Sequence, residues 1–504
     1  MELKYKNMNI KLLIGLILLS GFLSSCKKWL EVQPESEISA PILFSTESGF
    51  IEALNGIYNR CTESDLYGGE LTFGTLEVLA QNYTMNQDDN MKYRQTSLFN
   101  YKNREFIDRK DKIWIGLYNG IVNTNLILEN IDEKKNIFNS NNYSVVKGEA
   151  LALRAYLHFD ALRMFAASYV RNPSAKGIPY VTKYSKDVTP MSTVAESIDL
   201  MIKDLEAAKE LLTIDPIRSA SYVVGYPVQT DTTLNGEEKS PQLFLQNRRH
   251  HLNYYAVCGT LARIYLYKND KVKALSNALE VINSKKFPWT SPSDFIAFDE
   301  AKKDRILYKE LVFGWYIPGA ADDIRDKWFT SGTSKFYLQD DLGKIIYETA
   351  GTGADDNRYK QWLSSIAQPS GERTSDIVKY RRNPLSKEEN ANLHYLMAPA
   401  LRLSEMYYIA AECTATSNLI GATDYLNKVR AARGMVGIEA ASEEQLTTEL
   451  LKEARKEWLA EGQMFYMYKR LNRPISGQTG SFIPASDNIY ILPLPNDEIV
   501  YGGR

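Results

Sequence analysis

The chain has 504 residues, and its 60 Lys plus Arg stand against 62 Asp plus Glu. A near-neutral chain argues against nucleic acid as partner, because phosphates call for a basic face. The four cysteines, Cys26, Cys61, Cys258 and Cys413, are widely spaced and fit neither a disulfide framework nor zinc-ligand spacing.

In chain order, the first signal is a leader. Lys4, Lys6 and Lys11 precede Leu12 to Leu23, which is almost wholly apolar. That run is too short to cross a bilayer as a helix, which takes about 20 residues. A basic start, a short apolar stretch and small residues at its end mark an export signal. Leu23-Ser24-Ser25-Cys26 resembles the bacterial lipobox, in which the cysteine thiol is acylated and becomes the new N-terminus. Two or three acyl chains, at about 0.8 kcal/mol per buried methylene, give stable anchoring. An ordinary signal peptide with a nearby cysteine is the blander reading. Residues 1–25 are therefore expected to be removed and Cys26 lipidated, leaving a water-soluble body tethered to a surface.

The body reads mostly as amphipathic helix. An irregular, aromatic stretch runs from Asp65 to Asn103. Asp111 to Asp132 then places Trp114, Leu117, Tyr118, Ile121, Asn125 and Leu128 at helical spacing. Val146 to Ala166 pairs with Val194 to Leu212, the latter opened by Thr193 and Glu196 at capping-box spacing. Next, Leu261, Ala262 and Tyr265 precede a turn and then Ala274, Ala278 and Val281. The same spacing of +1, +3, +9, +4 and +3 recurs at Ile409, Ala410, Cys413, Ala422, Leu426 and Val429. Small residues at the crossings let paired helices approach closely, a pattern that resembles tetratricopeptide units. Any antiparallel helix pair with alanines at its crossing would look similar. The copies lie 148 residues apart, so a plain tandem solenoid is excluded. Between them, Lys285 to Pro399 is rich in Gly, Pro, Asp and aromatics and holds Trp289, Trp315, Trp328 and Trp362. It reads as an irregular subdomain with short strands, and long structured loops on a rigid frame commonly carry function. Leu446 to Leu471 reads as a closing helical region behind Ser442 and Gln445.

Catalytic signatures are absent: no HExxH, nucleophile elbow, Walker loop or dinucleotide fingerprint. His158 reads as a satisfied side chain within a helix. His250-His251, beside Arg248 and Arg249, reads as a solvated loop and not a metal site. Asp88-Asp89, Asp322-Asp323, Asp340-Asp341 and Asp355-Asp356 are too unspecific to serve as evidence for a glycosidase pair or a calcium loop. No cofactor is expected.

Ordered blocks along nearly the whole chain resemble the SusD/RagB family of Bacteroidetes outer-membrane lipoproteins. They are CKKWLEVQPESEIS (26–39), GFIEALNGIYN (49–59), IWIGLYNGIVNTNLILENI (113–131), GEALALRAYLHFDALRMFA (148–166) with GIPYVT (177–182), LRLSEMYYIAAE (401–412), YLNKVRAARG (425–434), EARKEWLAEGQMFYMYKRL (453–471) and ILPLPNDEI (491–499). The chain departs from the family pattern after Glu461-Gly462 and at its C-terminal tail. The resemblance implies a mainly α fold, with tetratricopeptide-like pairs forming a right-handed frame around a loop-rich half. It also implies one domain over 26–504, divided as 26–284, an insertion at 285–400, and 401–504. It further implies a non-catalytic lid over a SusC-like TonB-dependent transporter, binding oligosaccharide or peptide at the outer membrane through its lipid anchor. The matching blocks are frame helices, so no ligand residue carries over. The chemistry of a pyranose suggests them instead: its C–H face stacks on aromatics and its hydroxyls bond polar side chains. FGWYIPGAADDIRDKWF (313–329) offers Trp315, Tyr316 and Trp328 with Asp322, Asp323 and Arg325. Tyr83, Asn86 and Tyr93 are the second set. The tryptophans would equally serve as core of the insertion. Two readings of other classes remain open: an exported helical glycoside hydrolase, and a tetratricopeptide adaptor binding protein tails.

Overall fold

A computed structural model describes residues 40–85, 89–226, 236–328, 335–368, 370–381, 396–478 and 480–503. The expected leader, Cys26 and Asn86 lie outside the described residues. Among those described, no helix is long and apolar enough to cross a membrane.

The frame is helical. α1 (Glu47–Cys61), α2 (Arg104–Ile131) and α3 (Asn142–Phe165) open it. α3 is buried on almost every side, from Val145 to Phe165. It packs against α2 and α4 (Val194–Leu211), with α5 (Tyr254–Tyr267) beside it. A helix buried on almost every side sits in the interior, where each fully buried leucine contributes about 1.5–3 kcal/mol and the charged residues are paired, Arg154 with Asp204 and Arg163 with Asp160. α2 meets α3 at Gly120, where an added Cβ would lie 2.7 Å from Leu157 Cδ1. The expected capping box forms: Thr193 accepts from the Glu196 amide, and the Glu196 carboxylate accepts from the Thr193 amide.

α5 and α6 (Lys271–Ser284) form one hairpin; α10 (Leu403–Thr414) and α11 (Leu419–Ala432) form the other. All twelve residues of the repeated spacing are buried. α6 packs on α10, so the two copies are neighbours in space despite their separation in sequence. α12 (Glu443–Glu457) and α13 (Met464–Leu471) close the frame. The single helical region expected at Leu446–Leu471 is broken here. Ala460 and Gly462 take positive φ, and a Cβ on Gly462 would lie 2.1 Å from Leu71 O. The buried Glu77 carboxylate accepts both amides, at 3.0 and 2.8 Å, and fixes the break.

The insertion carries short antiparallel strands between helices α7 (Ala321–Trp328), α8 (Asp340–Tyr347) and α9 (Asn357–Trp362). β1 (Lys176–Pro179) and β2 (Met191–Thr193) pair earlier, within the frame. β3 (Leu311–Tyr316) pairs with β7 (Met397–Arg402), which runs directly into α10. β4 (Tyr337–Gln339) and β5 (Leu363–Ala367) flank β6 (Arg373–Ile377). One contiguous apolar core spans frame and insertion, with a small separate cluster of Phe295, Leu307 and Trp362.

Candidate functional site

Four of the expected stacking residues belong to the core. Trp315 is 1 % exposed and lies parallel to Tyr67, with ring centroids 4.3 Å apart and 9° between planes. Trp328 lies parallel to Tyr380 at 5.2 Å and 3°. Tyr83 stacks on Phe336 at 4.4 Å, and its hydroxyl donates to Phe73 O. Tyr93 donates to Glu70 at 2.6 Å beneath the Arg109 guanidinium. Trp315 and Trp328 thus take the core role that the sequence left open, and burial corrects the expectation that these two or Tyr83 and Tyr93 present a ring to a ligand. Rings of this size, at about 150–250 Å² each, fill the space between the 65–103 stretch and the insertion, neither of which has long helices to build a core from.

Tyr316 differs. β3 is buried along its length and emerges only at its last residue, leaving Tyr316 50 % exposed. Its backbone is held by the partner strand: Tyr316 is in register with Met397, and the Ile317 amide donates to Leu396 O at 2.8 Å. The ring is backed by His250, at 5.7 Å and 16°. His250 Nε2 lies 2.9 Å from the Tyr308 hydroxyl, and Tyr308 in turn stacks near Tyr226 at 6.2 Å. Burial, aided by the Arg249 charge, pushes His250 down to about 3, so the imidazole behind Tyr316 is neutral at physiological pH.

The support beneath His250 overturns the expectation of a solvated loop. Arg248 is fully buried, with Asp215 at 2.8 Å and Glu149 at 2.6 Å. Arg249 is fully buried on Glu237, with its guanidinium 4.1 Å over the Tyr308 ring. His251 Nδ1 sits 3.0 Å from Glu149. These ion pairs pin the segment and hence the imidazole. His158 is buried as expected: its Nδ1 contacts Arg154 O and its Nε2 accepts from the Val181 amide.

Asp322, Asp323 and Arg325 follow Tyr316 by one short turn, on α7. Their side chains are 82 %, 44 % and 61 % exposed. Arg325 pairs with Asp322 at 2.7 Å and Asp326 at 3.0 Å; Asp323 pairs with Lys327 at 3.0 Å. Exposed pairs of this kind hold little energy and are free to exchange partners. A rigidly backed, half-exposed ring is thus followed, after one short turn of chain, by a short helix whose Asp322, Asp323 and Arg325 face water. His250 was not legible as the support of Tyr316, because it stacks there from far earlier in the chain.

Two carboxyls with raised pKa, Glu77 at about 7 and Asp304 at about 6, are pushed up chiefly by burial. Both are consumed by structural bonds, Asp304 by the Tyr308 amide and the Tyr226 hydroxyl. Among the described residues, no cluster of three or more His, Cys, Asp or Glu is arranged to hold a metal. Cys61, Cys258 and Cys413 are buried free thiols.

Comparison with known proteins gives a consistent picture. The model of a family described as starch-binding and associating with the outer membrane matches residues 28–223. The SusD family model matches 322–499. A SusD-like protein of Formosa agariphila is 24 % identical over 522 residues, covering 94 % of this chain and 95 % of that one. The crystal structure of a SusD-like carbohydrate binding protein from Bacteroides vulgatus superposes with a TM-score of 0.69 at 20 % identity, over 91 % of this chain and 97 % of that one. A SusD superfamily protein from Bacteroides thetaiotaomicron gives 0.69 at 21 %, over 91 % and 98 %. At such identities the superpositions establish the fold alone.

Proposed function

This chain belongs to the SusD/RagB family, and we propose that it is a cell-surface lipoprotein that captures oligosaccharides for a TonB-dependent outer-membrane transporter without altering them. On this reading residues 1–25 direct export, Cys26 carries the lipid, and the frame holds the capture surface at the mouth of a SusC-like barrel. The observation that carries the binding reading is Tyr316: a flat ring, half exposed, rigidly backed by a neutral imidazole, with hydrogen-bonding charges one turn away. A sugar's C–H face would cover the ring, while Asp322, Asp323 and Arg325 would trade their mutual pairs for its hydroxyls. The starch-binding description of the matching family supports glycan over peptide.

The test is an array of oligosaccharides and peptides probed with the soluble body from Lys27 onward, as wild type and as Tyr316→Ala. Glycan binding that weakens about tenfold in the variant, on the order of 1.4 kcal/mol, is the expected result. Binding to peptides only, or glycan binding indifferent to Tyr316, would remove the basis of the reading.

A further inference from the structure

Where α3, α5, α10 and α13 meet, mostly buried side chains wall a cavity of about 50 Å³. Holding one water takes roughly 10–15 Å³ of such volume, so the space suits particles of that size and no sugar ring. Five of the wall residues each keep a buried polar atom that finds no hydrogen-bond partner among the described residues. They are Arg163 Nε, Arg263 Nη1 and the hydroxyls of Tyr267, Tyr408 and Tyr466. Native structures rarely leave one such group unmet, because its desolvation is then uncompensated. Five around one cavity point to something that sits in it.

All five are donors, and the strong acceptors beside them are spent. Glu405 accepts from Arg263 Nε and Nη2 at 2.6 Å each, and Glu412 from Arg470 in the same way. Asp160 accepts from Arg163 Nη2 with one oxygen and from the Tyr67 hydroxyl with the other. Gln463 Oε1 accepts from Arg163 Nη1 at 3.2 Å. The Arg163 guanidinium also lies 3.7 Å from the centre of the Tyr466 ring and 4.7 Å from that of Phe159, which meets Tyr267 edge-on at 5.3 Å. Burial, joined at Tyr466 by Asp160, pushes the Tyr267 and Tyr466 hydroxyls up, while the Arg163 charge pulls both down. Each is therefore a protonated donor near that charge.

A water accepts two hydrogen bonds and has two to donate. One water would leave three of the five donors unmet and find only hydroxyl oxygens to donate to. A monatomic anion accepts from every side and donates nothing, and its bonds to guanidinium N–H are of the stronger, charge-assisted kind. We infer that this cavity is a binding site for one monatomic anion, chloride in ordinary media, held by Arg163 and Arg263 with the Tyr267, Tyr408 and Tyr466 hydroxyls. The ion ties α3 and α5 to α10 and α13, so that both repeat hairpins and the closing helix share one internal clamp. A ligand that binds only the folded chain stabilises it as its concentration passes the dissociation constant. The site is independent of Tyr316 and of any glycan.

The experiment follows the thermal unfolding midpoint of the protein as sodium chloride replaces sodium gluconate at constant ionic strength, for wild type, Tyr267→Phe and Tyr466→Phe. Crystals soaked in bromide are measured in parallel at the bromine absorption edge. The midpoint is expected to rise with chloride along a one-site curve that saturates, and bromide should give an anomalous peak in the cavity. Each variant loses a hydroxyl that bonds nothing in the protein, so it should still fold in gluconate. It should need about tenfold more chloride to reach half the rise, the worth of one hydrogen bond to a charged partner. Equal midpoints in the two salts would mean that the cavity holds only water, and would overturn the inference. A rise that never saturates is a bulk salt effect, and one that neither variant weakens belongs to another site; either result overturns it as well. So does bromide found only outside the cavity.

Discussion

Two sets of ion pairs in this molecule have the same chemistry and opposite surroundings. On α7, Asp322 and Arg325 pair in water, and Asp323, half exposed, pairs with the largely buried Lys327. Where the insertion meets the frame, Arg358, Arg402, Arg433, Glu310, Glu453 and Glu457 pair with essentially no exposure. Arg358 reaches Glu453 at 2.7 Å and Glu457 at 3.0 Å; Arg433 reaches Glu310 and Glu457 at 2.6 Å each. Arg402 adds Glu457 at 2.5 Å and Glu461 at 2.9 Å, and Lys379 joins through Glu461. Arg358, Glu310 and Lys379 come from the insertion, while Glu453, Glu457 and Arg433 come from the frame. The contrast teaches a division of labour. Charges taken out of water are costly to hold and cannot change partners, so they fix geometry. Charges left in water fix little, and so remain available to a ligand.

The strongest way to break the contrast is Glu457→Ala. It leaves Arg358, Arg402 and Arg433 buried around a missing carboxylate. Removing one partner of a buried pair costs about 3–5 kcal/mol, a large part of the roughly 5–15 kcal/mol by which a domain is stable. Chemical denaturation should show an unfolding free energy lowered by that amount, with the midpoint moved down accordingly. A loss below about 1 kcal/mol would mean that the cluster does not bolt insertion to frame.

Acid should attack the same cluster more gently. Burial alone would raise Glu453, but Arg358, Lys456 and Arg430 outweigh it and hold the carboxyl at about 2. Glu457 is held well below the usual range by Arg433, Arg402 and Arg358 against the same burial. Groups with depressed folded values stabilise fully above the ordinary carboxyl range, and that stability is lost as pH falls toward the folded values. Stability should therefore fall as pH drops below about 4.5, by about 1.4 kcal/mol per pH unit for each such group. Glu77, raised to about 7, acts in the opposite sense between the ordinary range and neutrality, and so blunts the curve only at its upper end. Glu453→Gln should make the acid limb shallower, read from denaturation midpoints between pH 5 and 3. An unchanged limb would place the acid sensitivity elsewhere, for instance at Glu149, which Arg248 and His251 hold at about 2 against its burial.

Much of the frame was legible because its signals are local. Ala262 and Ala410 must sit where helices cross, and they do, at 0 % exposure. Thr193 announces the start of α4 through a bond three residues away. The site was far less legible. Trp315 and Tyr316 are adjacent, equally aromatic, and one is buried while the other is half exposed. What separates them is the end of a strand whose partner, β7, lies some 80 residues on, with Trp315 opposite Ala398. No local period reports where that pairing stops. The Arg248–His251 stretch misled for the same reason. Four polar residues in a row read as water-facing until Glu149, Asp215 and Glu237 arrive from elsewhere in the chain. The break at Ala460–Gly462 also depends on a distant group, the Glu77 carboxylate. Helical spacing runs through it uninterrupted.

The smallest expected effect on stability sharpens the contrast from the other side. The double variant Asp322→Ala, Arg325→Ala removes an ion pair whose partners are both mostly in water. Solvent already screens it, and its long side chains gain freedom when it is lost. The denaturation midpoint should stay within error of wild type, where Glu457→Ala moves it far. Glycan affinity is the separate readout: loss of two hydrogen-bonding groups beside Tyr316 should weaken binding a few-fold, with less dependence on salt than a charged ligand would show. A midpoint that drops with the double variant would mean that α7 is held by these pairs, and its charges would then be structural like those of the buried cluster. A stable protein with weakened binding would assign the water-facing set to the ligand, because the only property those side chains have that the buried set lacks is the freedom to change partners.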